Sequence, residues 1–227
     1  MGLENLYIIG TSHIASGSIK EVNEVIQKVK PTIVAIELDH QRLRALFSKQ
    51  KIRFKWGDVR RLGVKGYLFN ILGAFIEHQL GKRVGVVPGA EMKEAVYSAR
   101  KIQAKVALID QDITITLRKL SKRITWKEKG RVVKDLIAGL CAKKKIKIDL
   151  SKVPPKKMIK QLTTIVKKRY PSIYKTLIVE RNMVMAQNLY NLISQHPGEK
   201  IVAVVGAGHE EEIKNVVKKR MKTSVKK

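Results

Sequence analysis

Two short stretches near opposite ends of the chain share one design, in which an apolar run is followed by a glycine, two small residues and a histidine. They are Gly10-Thr11-Ser12-His13 and Gly206-Ala207-Gly208-His209. Each apolar run is typical of a buried strand, and the glycine suits a tight turn at the end of that strand. Ligands of open α/β sheets bind beyond the carboxyl ends of the strands. We therefore expect His13 and His209 to face one site, provided that their two strands are neighbours.

Acidic residues follow other predicted strands at the same end. Glu37 and Asp39 come directly after one strand, and Asp110 and Asp112 repeat this two-residue spacing after another. Residues two apart in an extended segment point to the same side, so each pair faces one direction. Neutral imidazole and carboxylate groups are good metal ligands, and two histidines with one carboxylate can leave a coordination position open. The sequence therefore predicts a divalent metal site, holding Mn, Co or Zn, at this edge of the sheet.

Four further charged residues could complete a hydrolytic site. A metal-activated water could attack an amide or ester carbonyl near neutral pH. Glu91 or Glu180 would then act as the general base or acid. Arg118 or Arg181 would hold a substrate carboxylate or stabilise developing negative charge.

Several of these residues also have plainer explanations. Glu91 lies in the first turn of a predicted helix, where the helix dipole alone favours a carboxylate. Asp112 can cap the next helix, or it can orient Arg118 or a metal-bound histidine. Glu180-Arg181-Asn182 interrupts a mostly apolar helix and forms either a solvent-facing turn or a turn that faces the site. The sequence leaves these alternatives open.

Five short apolar segments are typical of buried strands, and helical patterns alternate with them. The predicted strands are residues 6–9, 32–36, 83–87, 106–109 and 201–205. This alternation predicts an α/β fold with a mostly parallel central sheet of about five strands flanked by helices. The chain is long enough for one sizeable core, so we expect residues 1–227 to form a single domain.

The stretch between the last two predicted strands has no strand pattern and is rich in lysine. It is predicted to be a basic helical insertion over residues 121–175 within the domain. In this half of the chain, helices are predicted over residues 121–140, 155–170, 172–195 and 210–220. A long helix is also predicted earlier, over residues 59–80. Residues 221–227 form a basic tail that is expected to fray.

The net charge is +28, from 47 basic and 19 acidic residues. Such a charge attracts nucleic acid or an anionic membrane surface, and basic residues are concentrated over residues 143–169. An alternative to catalysis is therefore a non-catalytic regulatory or polyanion-binding protein on the same fold. The two hypotheses are compatible, because a basic surface could recruit an acidic substrate. The oligomeric state stays open, a homo-oligomer included.

Cys141 is the single cysteine, so the chain has no internal disulfide and fits a reducing compartment. The first apolar run is too short for a secretory signal and lacks its basic flank. No stretch reaches the length of a membrane span, and the best candidate, residues 62–80, is broken by polar and charged side chains. We therefore expect a cytoplasmic protein.

Other catalytic signatures do not occur in the sequence. The glycine spacings match neither a Walker loop nor a dinucleotide fingerprint, and no His-Glu-x-x-His motif is present. There is no Gly-x-Ser-x-Gly elbow of an α/β-hydrolase. The paired Gly-x-x-His turns therefore have no competing motif.

Several short motifs occur in a fixed order along the chain. They are Gly10-Thr11-Ser12-His13, Glu37-Leu38-Asp39 with Arg42, Pro88-Gly89-Ala90-Glu91-Met92, Leu108-Ile109-Asp110-Gln111-Asp112-Ile113 with Arg118, Glu180-Arg181-Asn182 with Met185-Ala186, and Val205-Gly206-Ala207-Gly208-His209. In this order they resemble the TraB family, which includes the PrgY pheromone-shutdown proteins. The resemblance spans roughly the whole chain, and the basic insertion contributes least to it.

This resemblance implies a metal-assisted hydrolytic site acting on a peptide or other small substrate. The wider group is similar to the TIKI proteins, described as metal-dependent proteases, and to the erythromycin-esterase and ChaN-like fold. The implied metal ligands are His13, Glu37 and His209. Three further residues would orient those ligands through hydrogen bonds: Asp39, Arg42 and Asp112. Asn182 departs from the acid that the resemblance leads us to expect at its position.

Overall fold

The computed structural model describes residues 3–11, 16–48, 89–141 and 156–224. Within these ranges the chain forms an α/β fold around one parallel sheet. Its strands are β1 (Leu6–Thr11), β2 (Ile33–Ile36), β3 (Lys105–Leu108) and β4 (Ile201–Gly206). They lie in the order β1-β4-β2-β3, and each neighbouring pair is parallel.

Helices connect these strands and cover both faces of the sheet. They are α1 (Ser16–Val29), α2 (His40–Phe47), α3 (Ala90–Lys101), α4 (Ile113–Arg123), α5 (Trp126–Cys141), α6 (Lys156–Arg169), α7 (Pro171–Tyr174), α8 (Glu180–Gln195) and α9 (Glu210–Ser224). A 3-10 turn, Leu3–Asn5, precedes β1, and a π-helical turn, Lys175–Val179, joins α7 to α8.

The sheet is buried on both sides, and this explains its unbroken apolar segments. Alternate residues of a strand point to opposite faces. Val34 and Ile36 of β2 pack with α1 and α3 on one face, whereas Ile33 and Ala35 pack with α8 and α9 on the other. The central strands β2 and β4 therefore have apolar residues at every position rather than at every second one.

The first and last strands are neighbours although they come from opposite ends of the chain. They pair in parallel, with Gly10 opposite Val205 and Thr11 opposite Gly206. The condition for a site shared by the two Gly-x-x-His turns is therefore met, because both turns begin side by side. His13 itself lies in residues 12–15, outside the described residues.

The predicted α/β fold and its parallel sheet are confirmed, and four of the predicted strands are present. The other predicted strand, residues 83–87, and the predicted helix over residues 59–80 lie outside the described residues. Helices α5 and α6 lie where the basic helical insertion is predicted. None of the helices in the described ranges is both long and apolar enough to cross a membrane.

The prediction of one helix over residues 121–140 is wrong, because residues 121–123 end α4 and a new helix, α5, begins at Trp126. The break is a capping box in which the backbone N–H of Glu128 donates to Thr125 Oγ1 at 3.2 Å, and Glu128 Oε2 accepts from the Thr125 N–H at 3.0 Å. Glu128 Oε1 also accepts from the Ser172 N–H at 2.7 Å. One carboxylate thus begins α5 and joins it to α7.

Candidate functional site

The carboxyl ends of β2, β3 and β4 meet at one edge of the sheet, where Glu37 is buried. Glu37 follows β2 directly, and its backbone N–H donates to the Val204 carbonyl of β4 at 3.1 Å. Its side-chain Oε2 accepts from the Gly206 N–H at 2.6 Å. The residue is 4% exposed. A buried carboxylate is therefore tied to the glycine that begins the second Gly-x-x-His turn.

Arg181 of α8 joins two buried carboxylates. Its Nη2 donates to Glu37 Oε1 at 2.5 Å and to Asp110 Oδ2 at 2.5 Å, and its Nε donates to Asp110 Oδ1 at 3.1 Å. Asp110, two residues after β3, has a side chain that is 0% exposed. Because buried charges are tolerated only when they are paired, this guanidinium allows both carboxylates to lie in the interior.

A second guanidinium, that of Arg42, binds Asp110 as well. Its Nε donates to Asp39 Oδ2 at 2.7 Å. Asp39 also caps α2, since its Oδ1 accepts from the backbone N–H groups of Gln41 and Arg42 at 2.7 and 2.9 Å. The Ile113 N–H donates to Asp39 Oδ2 at 3.1 Å. Asp39 therefore fixes the start of α2 and the Arg42 side chain against the start of α4.

The acids of this cluster are charged at neutral pH. Burial raises the pKa of Glu37, but electrostatic interactions with His209 and Arg181, together with the hydrogen bond from the Gly206 N–H, outweigh it and hold that pKa below its usual range. Burial also raises the pKa of Asp110, yet hydrogen bonds and charge from Arg181 and Arg42 bring it below its usual range. The same carboxylates raise the pKa of Arg181 although burial lowers it. Each group thus stabilises the ionised form of its partners.

The π-helical turn places Arg181 at the sheet edge. Such turns are uncommon and recur at functional sites. Arg181 Nη1 donates to the Leu177 carbonyl within this turn at 3.3 Å. Farther along α8, Asn188 Nδ2 donates to the Ile109 carbonyl at 2.9 Å, which ties the helix to the segment after β3. The start of α8 is therefore anchored at the edge where the strands end.

His209 enters the same site from the turn after β4. The residue is 6% exposed, and its Nε2 lies 3.5 Å from Glu37 Oε1 and 3.5 Å from Arg181 Nη1. Its Nδ1 lies 2.5 Å from Asn182 Oδ1. Neighbouring residues of α8 thus contact the Glu37 carboxylate and the imidazole ring. Of the predicted site residues, the structure brings Glu37, Arg181 and His209 together.

Glu37 and His209 are close enough together to act as two ligands of one divalent metal ion. Atoms that bind one ion at about 2.0–2.2 Å lie within roughly 4.4 Å of each other, and His209 Nε2 and Glu37 Oε1 are 3.5 Å apart. The described ranges contain no group of three His, Cys, Asp or Glu side chains placed to hold an ion. A third ligand would have to come from elsewhere, and His13 follows Thr11 outside those ranges. Arg181 binds the same Glu37 oxygen, so an ion would share that oxygen with a guanidinium.

The two acids predicted to transfer protons lie in different surroundings. Glu91 is 1% exposed in the first turn of α3. The carboxylate of Glu180 pairs with Arg123 and, at 3.0 Å, with Lys119, both from α4. Burial raises the pKa of Glu180, but these two cations outweigh it and lower the pKa. Glu180 is therefore ionised and bound to α4, although it precedes Arg181 in the chain.

Arg118 and Asp112 belong to α4. Arg118 is exposed on that helix, and the described contacts of the carboxylate–guanidinium cluster do not include it. Asp112 caps α4, because its Oδ1 accepts from the Thr114 N–H at 2.7 Å, and its Oδ2 accepts from Gln41 at 3.1 Å. The capping alternative for Asp112 is therefore the one that the geometry supports.

Sequence reasoning put Asp110 at this edge without assigning it a role, and it did not place Asn182 among the site residues. The two-residue spacing draws attention to Asp110 and Asp112 as a pair. It does not show which of them is buried, because burial depends on the guanidinium groups of Arg42 in α2 and Arg181 in α8. The available signal for Asn182 is its place beside Arg181 in a mostly apolar helix, where polar groups need partners. Asn182 is 0% exposed and contacts His209, so the turn faces the site rather than solvent.

Comparison with known proteins places the chain in a family. The model of the TraB/PrgY/gumN family matches residues 2–224. An uncharacterized protein of Methanocaldococcus jannaschii is 36% identical over 95% of this chain and 54% of its own length. A TraB domain-containing protein of Homo sapiens is 24% identical over 81% of this chain and 51% of its own length, and that of Mus musculus is 23% identical.

The matches cover nearly all of this chain, whereas the chain spans about half the length of the curated relatives that it matches. The motifs around the buried Glu37, Arg181 and His209 lie within the matched region. The chain therefore belongs to the TraB/PrgY/gumN family.

Proposed function

We propose that the protein is a metal-dependent hydrolase that cleaves amide bonds of peptides. Glu37 and His209 would hold the ion together with His13. One observation carries the proposal: His209 Nε2 and Glu37 Oε1 converge within 3.5 Å, beyond the ends of neighbouring strands. The end of β1 at Thr11, beside Gly206, supports the third ligand, because His13 follows two residues later.

The residues of the chain have separate roles in this proposal. A bound divalent ion would supply Lewis acidity and a water nucleophile that is active near neutral pH. Arg181, held by Asp110, stands within 3.5 Å of both Glu37 and His209, where it can stabilise negative charge on a substrate oxygen. The Gly206 N–H and Arg181 both donate to Glu37, which fixes the carboxylate that would bind the ion.

Proton transfer is assigned to Glu91 in preference to Glu180. The salt bridges of Glu180 to α4 lower its pKa, so it is a poor general acid and is turned toward Lys119 and Arg123. Glu91 is buried at the start of α3, which begins directly after a strand predicted to reach the same sheet edge. General acid–base catalysis needs a positioned carboxyl group, and Glu91 is the remaining predicted one.

A groove of about 390 Å³ borders the His209 turn and is the place that we assign to the substrate. It is lined by α6 and by the start of α9, with Gly208 of the turn on its wall. Lys160 and Lys167 of α6 face the acidic first turn of α9 across it. A lining with both signs of charge suits a peptide, whose termini and side chains also carry both signs.

The decisive experiment compares metal content and peptidase activity in purified variants. Elemental analysis of the native protein should find roughly one divalent ion per chain. His13→Ala, Glu37→Gln and His209→Ala should each weaken metal binding and abolish cleavage of a quenched fluorescent peptide library. His196→Ala is the matched control, because this histidine binds Glu199 at the opposite end of β4. If the metal content of His13→Ala and His209→Ala equals that of the native protein, the proposal is wrong.

Polyanion binding is a second candidate function, favoured by the exposed lysines of α6. Lys157, Lys160, Lys167 and Lys168 are all solvent-exposed on that helix, in a chain of net charge +28. Such a surface attracts nucleic acid or anionic lipid headgroups without any catalytic step. It would be compatible with hydrolysis if the substrate were acidic.

A further inference from the structure

A hydrogen-bonded chain runs from the surface of α9 through the interior to the imidazole of His209. Glu212 Oε2 accepts from Asn182 Nδ2 at 2.7 Å, and Asn182 Oδ1 lies 2.5 Å from His209 Nδ1. Asn182 is 0% exposed, whereas Glu212 is half-buried and borders the groove beside α6. The two residues come from different helices, so the arrangement depends on how α8 packs against α9.

The hydrogen-bonding chemistry of Glu212, Asn182 and His209 allows only one tautomer of the neutral imidazole ring. An ionised carboxylate accepts hydrogen bonds and donates none, so the Asn182 amide must turn its nitrogen toward Glu212. Its oxygen then faces His209, and this oxygen can only accept. Nδ1 of the neutral imidazole therefore carries the proton, and Nε2 presents its lone pair toward Glu37 and Arg181.

We propose that Glu212 and Asn182 are positioning residues that hold His209 in the Nδ1–H tautomer. Metal-binding histidines are commonly oriented in this way by a partner on their other ring nitrogen. Here the partner of the ring is the neutral amide of Asn182, and the Glu212 carboxylate binds the other end of that amide. The device also explains why residue 182 is not an acid: a carboxylate there would face Glu212 without a proton to share.

The helix dipole alone does not account for Glu212. Glu210, Glu211 and Glu212 all lie in the first turn of α9, where any carboxylate is favoured. Glu211 binds Lys160 at 3.1 Å on the surface. Glu212 alone among the three has a described hydrogen bond to Asn182. Glu211 therefore offers a matched control, with the same charge and helix turn but, among the described contacts, none with Asn182 or His209.

The tautomer is measured directly by nitrogen NMR of the metal-free protein labelled with 15N-histidine. The chain has five histidines, and the His209 signals are those missing from the spectrum of His209→Gln. At a pH where the ring is neutral, we expect the proton on Nδ1 in the native protein. Asn182→Leu and Glu212→Ala should move the proton toward Nε2, Glu212→Gln should retain the native pattern through its amide oxygen, and Glu211→Ala should change nothing.

Two results overturn the inference. One is a native His209 ring with its proton on Nε2. The other is a ring that keeps the native pattern in a folded Asn182→Leu or Glu212→Ala variant. Because Asn182 is fully buried and its leucine variant could fail to fold, the native spectrum and the half-buried Glu212→Ala variant decide the question without it.

A second measurement, calorimetric titration with Zn²⁺, rests on the proposed function. Glu212→Ala should weaken Zn²⁺ binding by about 10-fold or more, the effect typical of losing such an orienting group, whereas Glu211→Ala should not. Equal affinities in these two variants would contradict the role of Glu212. If the native protein binds no Zn²⁺, the metal-dependent function fails while the tautomer result still stands.

Discussion

Arg181 decides whether two acids can stay ionised in the interior of this protein. It binds Glu37 and Asp110, whose side chains are 4% and 0% exposed. Burial by itself would favour the neutral form of both carboxyl groups. One arginine from α8 thereby maintains the negative charge that a cation would need at this edge.

We expect Arg181→Ala to destabilise the protein by about 3–5 kcal/mol, because it leaves buried carboxylates without their main partner. The free energy of unfolding in urea measures this loss. Arg118→Ala is the matched control, because Arg118 is exposed on α4, and it should change stability by at most about 0.5 kcal/mol. Similar values for the two variants would show that Arg181 does not hold the cluster together.

The lowered pKa values of Glu37 and Asp110 predict a loss of stability in acid. Their ordinary values are 4.5 and 3.8, and in the folded protein both are lower. A group with a lowered folded pKa adds stability above its ordinary value and loses it as the pH falls through the folded value. The difference in unfolding free energy between the native protein and Asp110→Asn should therefore stay constant from pH 7 to about pH 5 and shrink as the pH falls below the ordinary value of 3.8. A difference that is independent of pH would contradict this linkage.

At the scale of the element, the two Gly-x-x-His turns depend on close contact between their backbones. The Ala207 N–H donates to the Thr11 carbonyl at 2.8 Å. The pairing with β1 therefore continues past Gly206 into the second turn. A Cβ added at Gly10 would lie 3.2 Å from the Ala207 Cα and would overlap the Glu210 side chain. The glycine therefore allows β1 to approach the loop before α9.

We expect Gly10→Ala to destabilise the protein by about 1–3 kcal/mol, as overpacking does in a close contact. Gly130→Ala is the control, because a Cβ at this position in α5 would meet nothing within 4 Å. That substitution should stabilise by roughly 0.4–1 kcal/mol, since alanine loses less backbone freedom in a helix. Thermal unfolding distinguishes the two signs, and a shift of the same sign in both variants would contradict the close approach at Gly10.

At the scale of the whole molecule, the net positive charge should determine the affinity of the protein for polyanions and its dependence on salt. We expect binding to a mixed-sequence DNA duplex to weaken steeply with salt, because counterions are released. Replacing Lys157, Lys167 and Lys168 of α6 by glutamine should reduce the salt slope by roughly one for each phosphate that the variant no longer neutralises. The fluorescence anisotropy of labelled DNA gives the slope.

The control for that experiment removes the same charge elsewhere, by changing Lys28, Lys218 and Lys219 to glutamine. These lysines are exposed on α1 and α9, outside the residues of the basic insertion. A smaller effect of the control set would support α6 as the contact surface. An equal effect would assign the attraction to overall charge, and a salt-independent affinity would contradict polyanion binding.

The burial of the strands follows from local sequence, whereas their order in the sheet does not. Unbroken apolar runs such as Ile33–Ile36 and Ile201–Gly206 can lie only inside a sheet covered on both faces, and their alternation with helices requires parallel pairing. The small residues around Gly10 and Gly206 likewise indicate turns at the strand ends. The sequence alone therefore predicted the fold class and the edge at which Glu37 and His209 meet.

Tertiary packing decided which of the polar residues at that edge belong together. Asp110 and Asp112 have the same spacing, yet one is buried between guanidinium groups of α2 and α8, and the other caps α4. Asn182 contacts His209 because α8 packs beside α9. Hydrogen bonds between distant segments depend on distances of a few tenths of an ångström, and the spacing of residues along the chain carries no information about such distances.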